Sequence, residues 1–165
     1  MKQMEQVQPD EQSLLATEAE GPNNIQRRTI SATVQLYLAV SAGAVIGSVL
    51  RALASMGALA WLGPGFPWGT LFVNALGSFV IGFYATLTGP GGRSFAGTHQ
   101  RQFVMTGVCG GFTTFSIFSL ETVGLMQNGN WPMAGLNVGV SVVTWLAAVW
   151  LGHMLASRLN RLGGV

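Results

Sequence analysis

Two stretches of this chain, residues 52–92 and 122–157, contain no Asp, Glu, Lys or Arg. A helix rises about 1.5 Å per residue, so about 20 uncharged, mostly apolar residues cross the hydrocarbon core of a bilayer. Both stretches exceed that length, and a third uncharged run, Gln102 to Leu120, roughly matches it. From Thr33 onward the only charged residues are Arg51, Arg93, Arg101, Glu121, Arg158 and Arg161. Soluble domains carry about a quarter charged residues; this chain carries 8%, with 49% hydrophobic residues and a mean hydropathy of +0.43. The chain reads as an all-α membrane protein that crosses the bilayer several times, because a soluble helical core has no use for uncharged runs this long.

Composition also narrows the function. The pI near 9.2 comes from a small excess of arginine. Without a basic stripe interleaved with aromatics it does not argue for nucleic acid. Cys109 is the only cysteine, so no intrachain disulfide or cysteine-based metal site is expected. His99 and His153 are far apart, and no nucleophile–base pair or metal-ligand set points to an enzyme. Residues 1–32 hold five of the six acidic residues and lack the apolar core of a signal peptide. They are expected to form a disordered polar tail.

Punctuation by Gly, Pro and Asn divides the remainder, 33–158, into four spans, with 159–165 as a short C-terminal tail. Span 1 is expected over about Val34–Trp61, ended by Gly63-Pro64-Gly65-Phe66-Pro67. Span 2 runs from about Trp68 to Thr88, ended by Gly89-Pro90-Gly91-Gly92. Span 3 runs from about His99 to Gln127. Asn128-Gly129-Asn130 then turns the chain, Pro132 suits the first turn of span 4, and that span ends near Ser157. Arg27, Arg28, Arg93, Arg101, Arg158 and Arg161 all fall on one side of the resulting topology, and the opposite loops have no basic residue. The positive-inside rule places that side, with both termini, in the cytoplasm.

The chemistry is expected in span 3, whose centre reads Gly110-Gly111-Phe112-Thr113-Thr114-Phe115-Ser116-Ile117-Phe118-Ser119. Two glycines followed by two β-branched threonines are a poor choice for an undisturbed helix. Gly110 lies about 14 Å from Arg101 along the span, near the midplane. A break there frees carbonyls that lipid cannot satisfy, so it must be buried, line a wet cavity or hold an ion. Phe115 and Phe118 share a helix face at i, i+3 and alternate with Thr113, Thr114, Ser116 and Ser119. Such a pair is often simple packing. Among hydroxyls it also suits an ion path, and the positive edge of a phenylalanine ring can face an anion.

Other polar residues carry two readings each. Asn137, Ser141 and Thr144 form a stripe on span 4 that either lines a pore or bonds to other helices. Asn74 in span 2 is either a pore group or interhelical glue. Arg51 lies about 26 Å into span 1 and Glu121 about 30 Å into span 3. Both approach the non-cytoplasmic side, where they could pair, snorkel or form an ion-attracting vestibule. Gly43 and Gly47 give a Gly-x-x-x-Gly that permits close helix approach. Four thin helices hardly enclose a pore, which makes a dimer the natural remedy.

Three motifs then fall into a familiar order: Gly43-Ala44-Val45-Ile46-Gly47-Ser48-Val49-Leu50-Arg51, Gly69-Thr70-Leu71-Phe72-Val73-Asn74, and the run from Gly107 through Gly110-Gly111-Phe112-Thr113-Thr114-Phe115 to Glu121. Together they resemble the fluoride channel family, Fluc or CrcB, over about residues 35–157. The resemblance implies four-helix subunits with a broken third helix, paired as an antiparallel, dual-topology dimer in the inner (plasma) membrane, with two pores that export fluoride passively. It makes Phe115 and Phe118 the paired pore phenylalanines, Asn74 the pore asparagine and Arg51 the span-1 arginine. It also makes Gly110 and Thr113 the residues whose carbonyls, from both subunits, hold a central structural Na+. The path for fluoride is then expected along Phe115, Phe118, Asn74, Ser116, Thr114, Ser141 and Thr144, with Arg51 and Glu121 as vestibule or structural charges. Two features depart from the family pattern: Ile117 stands where Thr is common, and the basic residues are one-sided. The second raises a heterodimer with an oppositely oriented paralogue beside the homodimer. The competing class is a small four-helix proton-coupled transporter, but that mechanism wants an acid in the first span and span 1 has none.

Overall fold

The computed structural model describes residues 22–90, 92 and 94–162. The chain divides into two compact units, residues 1–35 and 36–165. In the first, residues 22–35 are helical, and Thr33 Oγ1 donates to the Thr29 carbonyl one turn back (2.8 Å). Every regular element among the described residues is helical: α1 (Pro22–Leu62), α2 (Trp68–Leu87), α3 (Thr98–Gln102), a π-helical segment (Phe103–Cys109), α4 (Gly110–Phe112), α5 (Phe115–Gln127) and α6 (Trp131–Leu162). Four helical stretches among these residues are long and apolar enough to cross a membrane: Gln26–Leu62, Trp68–Leu87, Thr98–Gln127 and Trp131–Leu162. This is a multi-pass, all-α membrane protein.

The punctuation acts as its chemistry dictates. Gly63 and Gly129 both take φ +75°, a conformation that side chains with a Cβ resist, and each closes a helix end. Gly63 N–H donates to the Leu59 carbonyl, and Gly129 N–H to the Met126 carbonyl. Phe66 packs on Trp68 at a ring-centroid distance of 4.8 Å, which fixes the entry to α2.

Helix lengths differ from the expected spans at both chain ends. The helix begins at Pro22, so residues 22–32 are not the polar tail expected there; the rest of that tail lies outside the described residues. Pro suits a first helical turn, and a helix needs no apolar residues once it has left the bilayer. At the other end α6 continues to Leu162 rather than stopping near Ser157. Asn160 Nδ2 donates to the Thr86 carbonyl (3.1 Å), and Arg161 in the last turn complements the helix dipole. Arg93 and residues 163–165 lie outside the described residues.

Glycines set the closest helix approaches within the second unit. A Cβ on Gly43 would stand 2.6 Å from the Phe103 carbonyl oxygen and 3.0 Å from Gly107 Cα; one on Gly107 would stand 2.8 Å from the Val40 carbonyl oxygen. One turn on, a Cβ on Gly47 would collide with the Val108 carbonyl, and one on Gly111 would lie 2.9 Å from Ala44 Cα. The Gly43/Gly47 motif is therefore answered by a second one, Gly107/Gly111, and the two backbones meet with nothing between them. α2 and α6 touch in the same way, Gly82 against the Val149 carbonyl and Gly152 against Phe79 and Phe83.

Candidate functional site

The third span breaks at two residues. Helical geometry persists through Phe112, Thr113 (φ −81°, ψ 159°) and Thr114 (φ −152°, ψ 120°) are extended, and α5 begins at Phe115. The break is thus narrower than the glycine–threonine run expected to hold it: Gly110 and Gly111 stay helical, and Gly111 packs its backbone against Ala44 of α1. What ends α4 is the pair of threonines. Thr113 Oγ1 and N both donate to the Cys109 carbonyl (3.0 and 2.9 Å). Thr114 caps α5, its Oγ1 accepting from Ile117 N (3.2 Å) and lying 3.2 Å from Ser116 Oγ. The π-helical stretch before the break has no counterpart in the sequence reading. Its wider turn falls where Gly107 presses on α1.

The backbone freed at the break finds partners from other spans. Thr114 N–H, which would close on the Gly110 carbonyl in an unbroken helix, donates instead to Asn74 Oδ1 (2.7 Å). Asn74 Nδ2 returns the bond to the Thr114 carbonyl (2.9 Å). The Asn74 amide thereby replaces a missing backbone neighbour and is buried, as Thr114 is. The Thr113 carbonyl receives Arg51 Nη1 at 3.5 Å, the long limit of a hydrogen bond. Arg51 is therefore at the break and does not pair with Glu121.

Glu121 sits elsewhere, in a cavity of about 480 Å³ lined also by Ser55, the Gly63–Pro67 turn, Thr70 and Asn128. Thr70 shares this cavity with the carboxyl, and Glu121 Oε2 is buried with no partner.

A second cavity, of about 340 Å³, opens beside the break. Its walls include Asn74, Ser78, Cys109, Gly110, Thr113, Thr114, Phe115 and Trp145. The two phenylalanines meet at 5.6 Å between centroids but sit in different surroundings. Phe118 is 7% exposed and packs almost perpendicular to Trp145 (4.9 Å, 72°), whereas Phe115 is 72% exposed. Ser116 is exposed as well.

The span-4 stripe is engaged in the single chain. Asn137 Nδ2 donates to Thr122 Oγ1 (2.9 Å), which donates to the Phe118 carbonyl (2.7 Å); Ser141 Oγ donates to Asn137 Oδ1 (3.4 Å). Asn137 and Ser141 are each 1% exposed, so both are interhelical connectors here, and Thr144 is half-buried. Neither Ser141 nor Thr144 lines the cavity at the break. Thr122 and Trp145 were not singled out from sequence. Their signal was spacing: Thr122 lies one turn beyond Phe118, and Trp145 one turn beyond Ser141.

The architecture can do one thing well. It offers an opening at the level of the break, walled by an amide, hydroxyls and aromatic rings, with no carboxylate in the lining and the Arg51 guanidinium on the Thr113 carbonyl. That set suits a small anion better than a cation.

Comparison with known proteins agrees. The profile of a family described as CrcB-like protein, camphor resistance (CrcB), matches residues 38–153. The chain is 60% identical over 129 residues to a fluoride-specific ion channel, FluC 1, of Rhodopseudomonas palustris (strain BisB18), covering 78% of this chain and 92% of that one. It is 58% identical over 130 residues to FluC 1 of Bradyrhizobium diazoefficiens, covering 79% and 90%. It is 54% identical over 131 residues to the fluoride-specific ion channel FluC of Opitutus terrae, covering 79% and 99%.

Proposed function

Because the chain belongs to the CrcB-like family, we propose that it is a fluoride-selective channel of the inner membrane, letting fluoride leave the cytoplasm down its gradient. The observation that carries the site assignment is the break at Thr113–Thr114, beside a cavity walled by Asn74, Thr114 and Phe115. Fluoride is small and strongly hydrated, so a path must replace its water with donors and ring edges. Phe115, Phe118, Asn74 and Thr114 supply these, and the exposed Ser116 hydroxyl extends them, whereas Ser141 and Thr144 do not line this cavity. In the single chain Asn74 spends one Nδ2 hydrogen on Thr114 and keeps the other for an anion.

The pore is completed by a second subunit in the opposite orientation. Phe115 is largely uncovered and Gly110 has open space beside it, as groups that face a partner would be. The partner is a second copy of this chain; the one-sided arginines favour the rival, an inverted paralogue. The Gly110 and Thr113 carbonyls suit a hard cation such as Na+ at the contact between subunits. One chain contributes two oxygens and shares that of Thr113 with Arg51, so the partner's equivalents are needed to surround an ion. Such an ion would tie the two breaks together.

Efflux from liposomes containing the purified chain tests this reading. Fluoride should be released and chloride scarcely at all, without any proton gradient. Equal rates for both anions, or flux only when protons are supplied, would favour a proton-coupled transporter.

A further inference from the structure

Both residues of the break are gripped from α2. Asn74 and Gly77 lie three apart on one face of that helix, and both are buried. Asn74 holds Thr114. Gly77 holds Thr113: a Cβ added at residue 77 would run into Thr113 Cγ2 and stand 3.5 Å from Phe112 Cδ1. The Thr113 side chain is therefore pinned at both branches, its methyl in the notch of Gly77 and its Oγ1 on the Cys109 carbonyl (3.0 Å). Two pinned branches leave χ1 a single staggered well and fix where Thr113 Cα sits. The peptide that follows is planar and trans, so its carbonyl points opposite to its N–H. That N–H belongs to Thr114 and is aimed at Asn74 on α2 (2.7 Å). The Thr113 carbonyl then points away from α2, and Arg51 of α1 meets it there at 3.5 Å. A carbonyl oxygen has two lone pairs, so one is left for a cation.

We infer that Gly77 is a positioning residue of the cation site at the subunit contact, setting its affinity and its preference for Na+ through the Thr113 carbonyl. The inference rests on the sodium reading and adds to it what aims the ligand. Carbon atoms in contact rest about 3.5–4.0 Å apart, so a methyl at residue 77 would overlap that of Thr113 by more than about 1 Å. The overlap is relieved only by moving Thr113 off α2, and its carbonyl with it. Metal–ligand distances hold to about 0.2 Å, which makes such a displacement decisive for an ion and minor for a helix contact. The notch also explains why the break is tolerated beside α2: no side chain stands between the two backbones at that level.

The test titrates Na+, and separately K+, into purified full-length protein held in a bulky organic cation, and reads the dimer on native gels. Gly77→Ala should raise the Na+ concentration for half-assembly by about tenfold, the low end of the range for groups that orient a metal ligand. It should also narrow the ratio between the Na+ and K+ midpoints, because a displaced carbonyl changes the size of the site. Thr113→Ser removes the methyl and keeps the hydroxyl bond, so Gly77→Ala with Thr113→Ser should return both the midpoint and the ratio towards wild type. Should Gly77→Ala alone not assemble, the double variant decides: recovery supports the assignment, and failure to assemble overturns it. An unchanged Na+ midpoint in Gly77→Ala overturns it too. So does a dimer weakened equally in both cations, because the residue then acts through packing alone. A wild-type dimer indifferent to Na+ removes the ion itself and this role with it, whereas a responsive wild type beside an unmoved variant removes only the role of Gly77.

Discussion

Asn74→Ala should destabilise the fold by more than the loss of a pore group would. The side chain holds both the N–H and the carbonyl of Thr114, at 2.7 and 2.9 Å, in a buried setting. Truncation strands both, and an unsatisfied buried group costs about 1–3 kcal/mol, giving roughly 2–6 kcal/mol for the pair. Hydrogen bonds measured in membranes average only about 0.6 kcal/mol, because stranded groups find other partners, which sets a floor near 1.2 kcal/mol. Here the neighbouring groups are engaged: Thr113 N with the Cys109 carbonyl, Ile117 N with Thr114 Oγ1. Only water in the adjacent cavity remains as a substitute, so a loss of about 2–4 kcal/mol is expected. Equilibrium unfolding in mixed detergent–SDS micelles reads the stability, and liposome flux reads conduction. Asn74→Asp is the companion variant: its carboxylate can still accept from Thr114 N but sets an oxygen against the Thr114 carbonyl, so it should be no better than Ala. A stability change below about 0.5 kcal/mol in both variants, with flux abolished, would refute the bracing role and leave Asn74 as an ion ligand alone.

Phe115→Ile and Phe118→Ile should both cut fluoride flux sharply, but only Phe118→Ile should also lower stability, by about 1 kcal/mol, as its contact with Trp145 is lost; equal stability losses would contradict the assigned environments. Gly47→Val should prevent assembly, because its side chain would enter the Val108 backbone, whereas Gly57→Ala, with nothing within 4 Å, should be neutral or stabilise by up to about 1 kcal/mol. Gel filtration and unfolding of both variants check the pair. A cysteine added at the C-terminus, with Cys109 removed, should be labelled from outside in about half of the copies if the chain inserts both ways; no labelling would require an inverted partner. If Gly110 and Thr113 hold sodium, replacing Na+ by a bulky organic cation should loosen the dimer on native gels, and indifference to the swap would remove that claim.

The four spans were legible because bilayer thickness and charge exclusion leave few alternatives, and Gly63-Pro64-Gly65 and Asn128-Gly129-Asn130 end helices by local chemistry. The break was legible too, though its limits were not. Gly110 and Gly111 looked like the weak point, yet Gly111 is there so that α1 can come close, which only the fold reveals. Thr114 owes its position to capping and to Asn74, a contact between spans that no periodicity encodes. Arg51 was misplaced for a similar reason. Depth along a helix put it near Glu121, but its long side chain reaches sideways to the Thr113 carbonyl. The helix beginning at Pro22 was hidden because polar residues end an apolar pattern without ending a helix.

The contacts of Gly82 with Val149 and of Gly152 with Phe79 and Phe83 have a mechanical consequence. Helices held apart by side chains can breathe as rotamers change; helices whose main chains already touch have no such slack. α2 carries Asn74 and α6 carries Trp145, so these glycines act as a fixed gauge for the gap between the two residues. A methyl group added at residue 82 or 152 would work as a shim, about 11–12 Å along either helix from the group it displaces. For the smallest halide, the tolerance of the passage is then written in positions that never meet the ion.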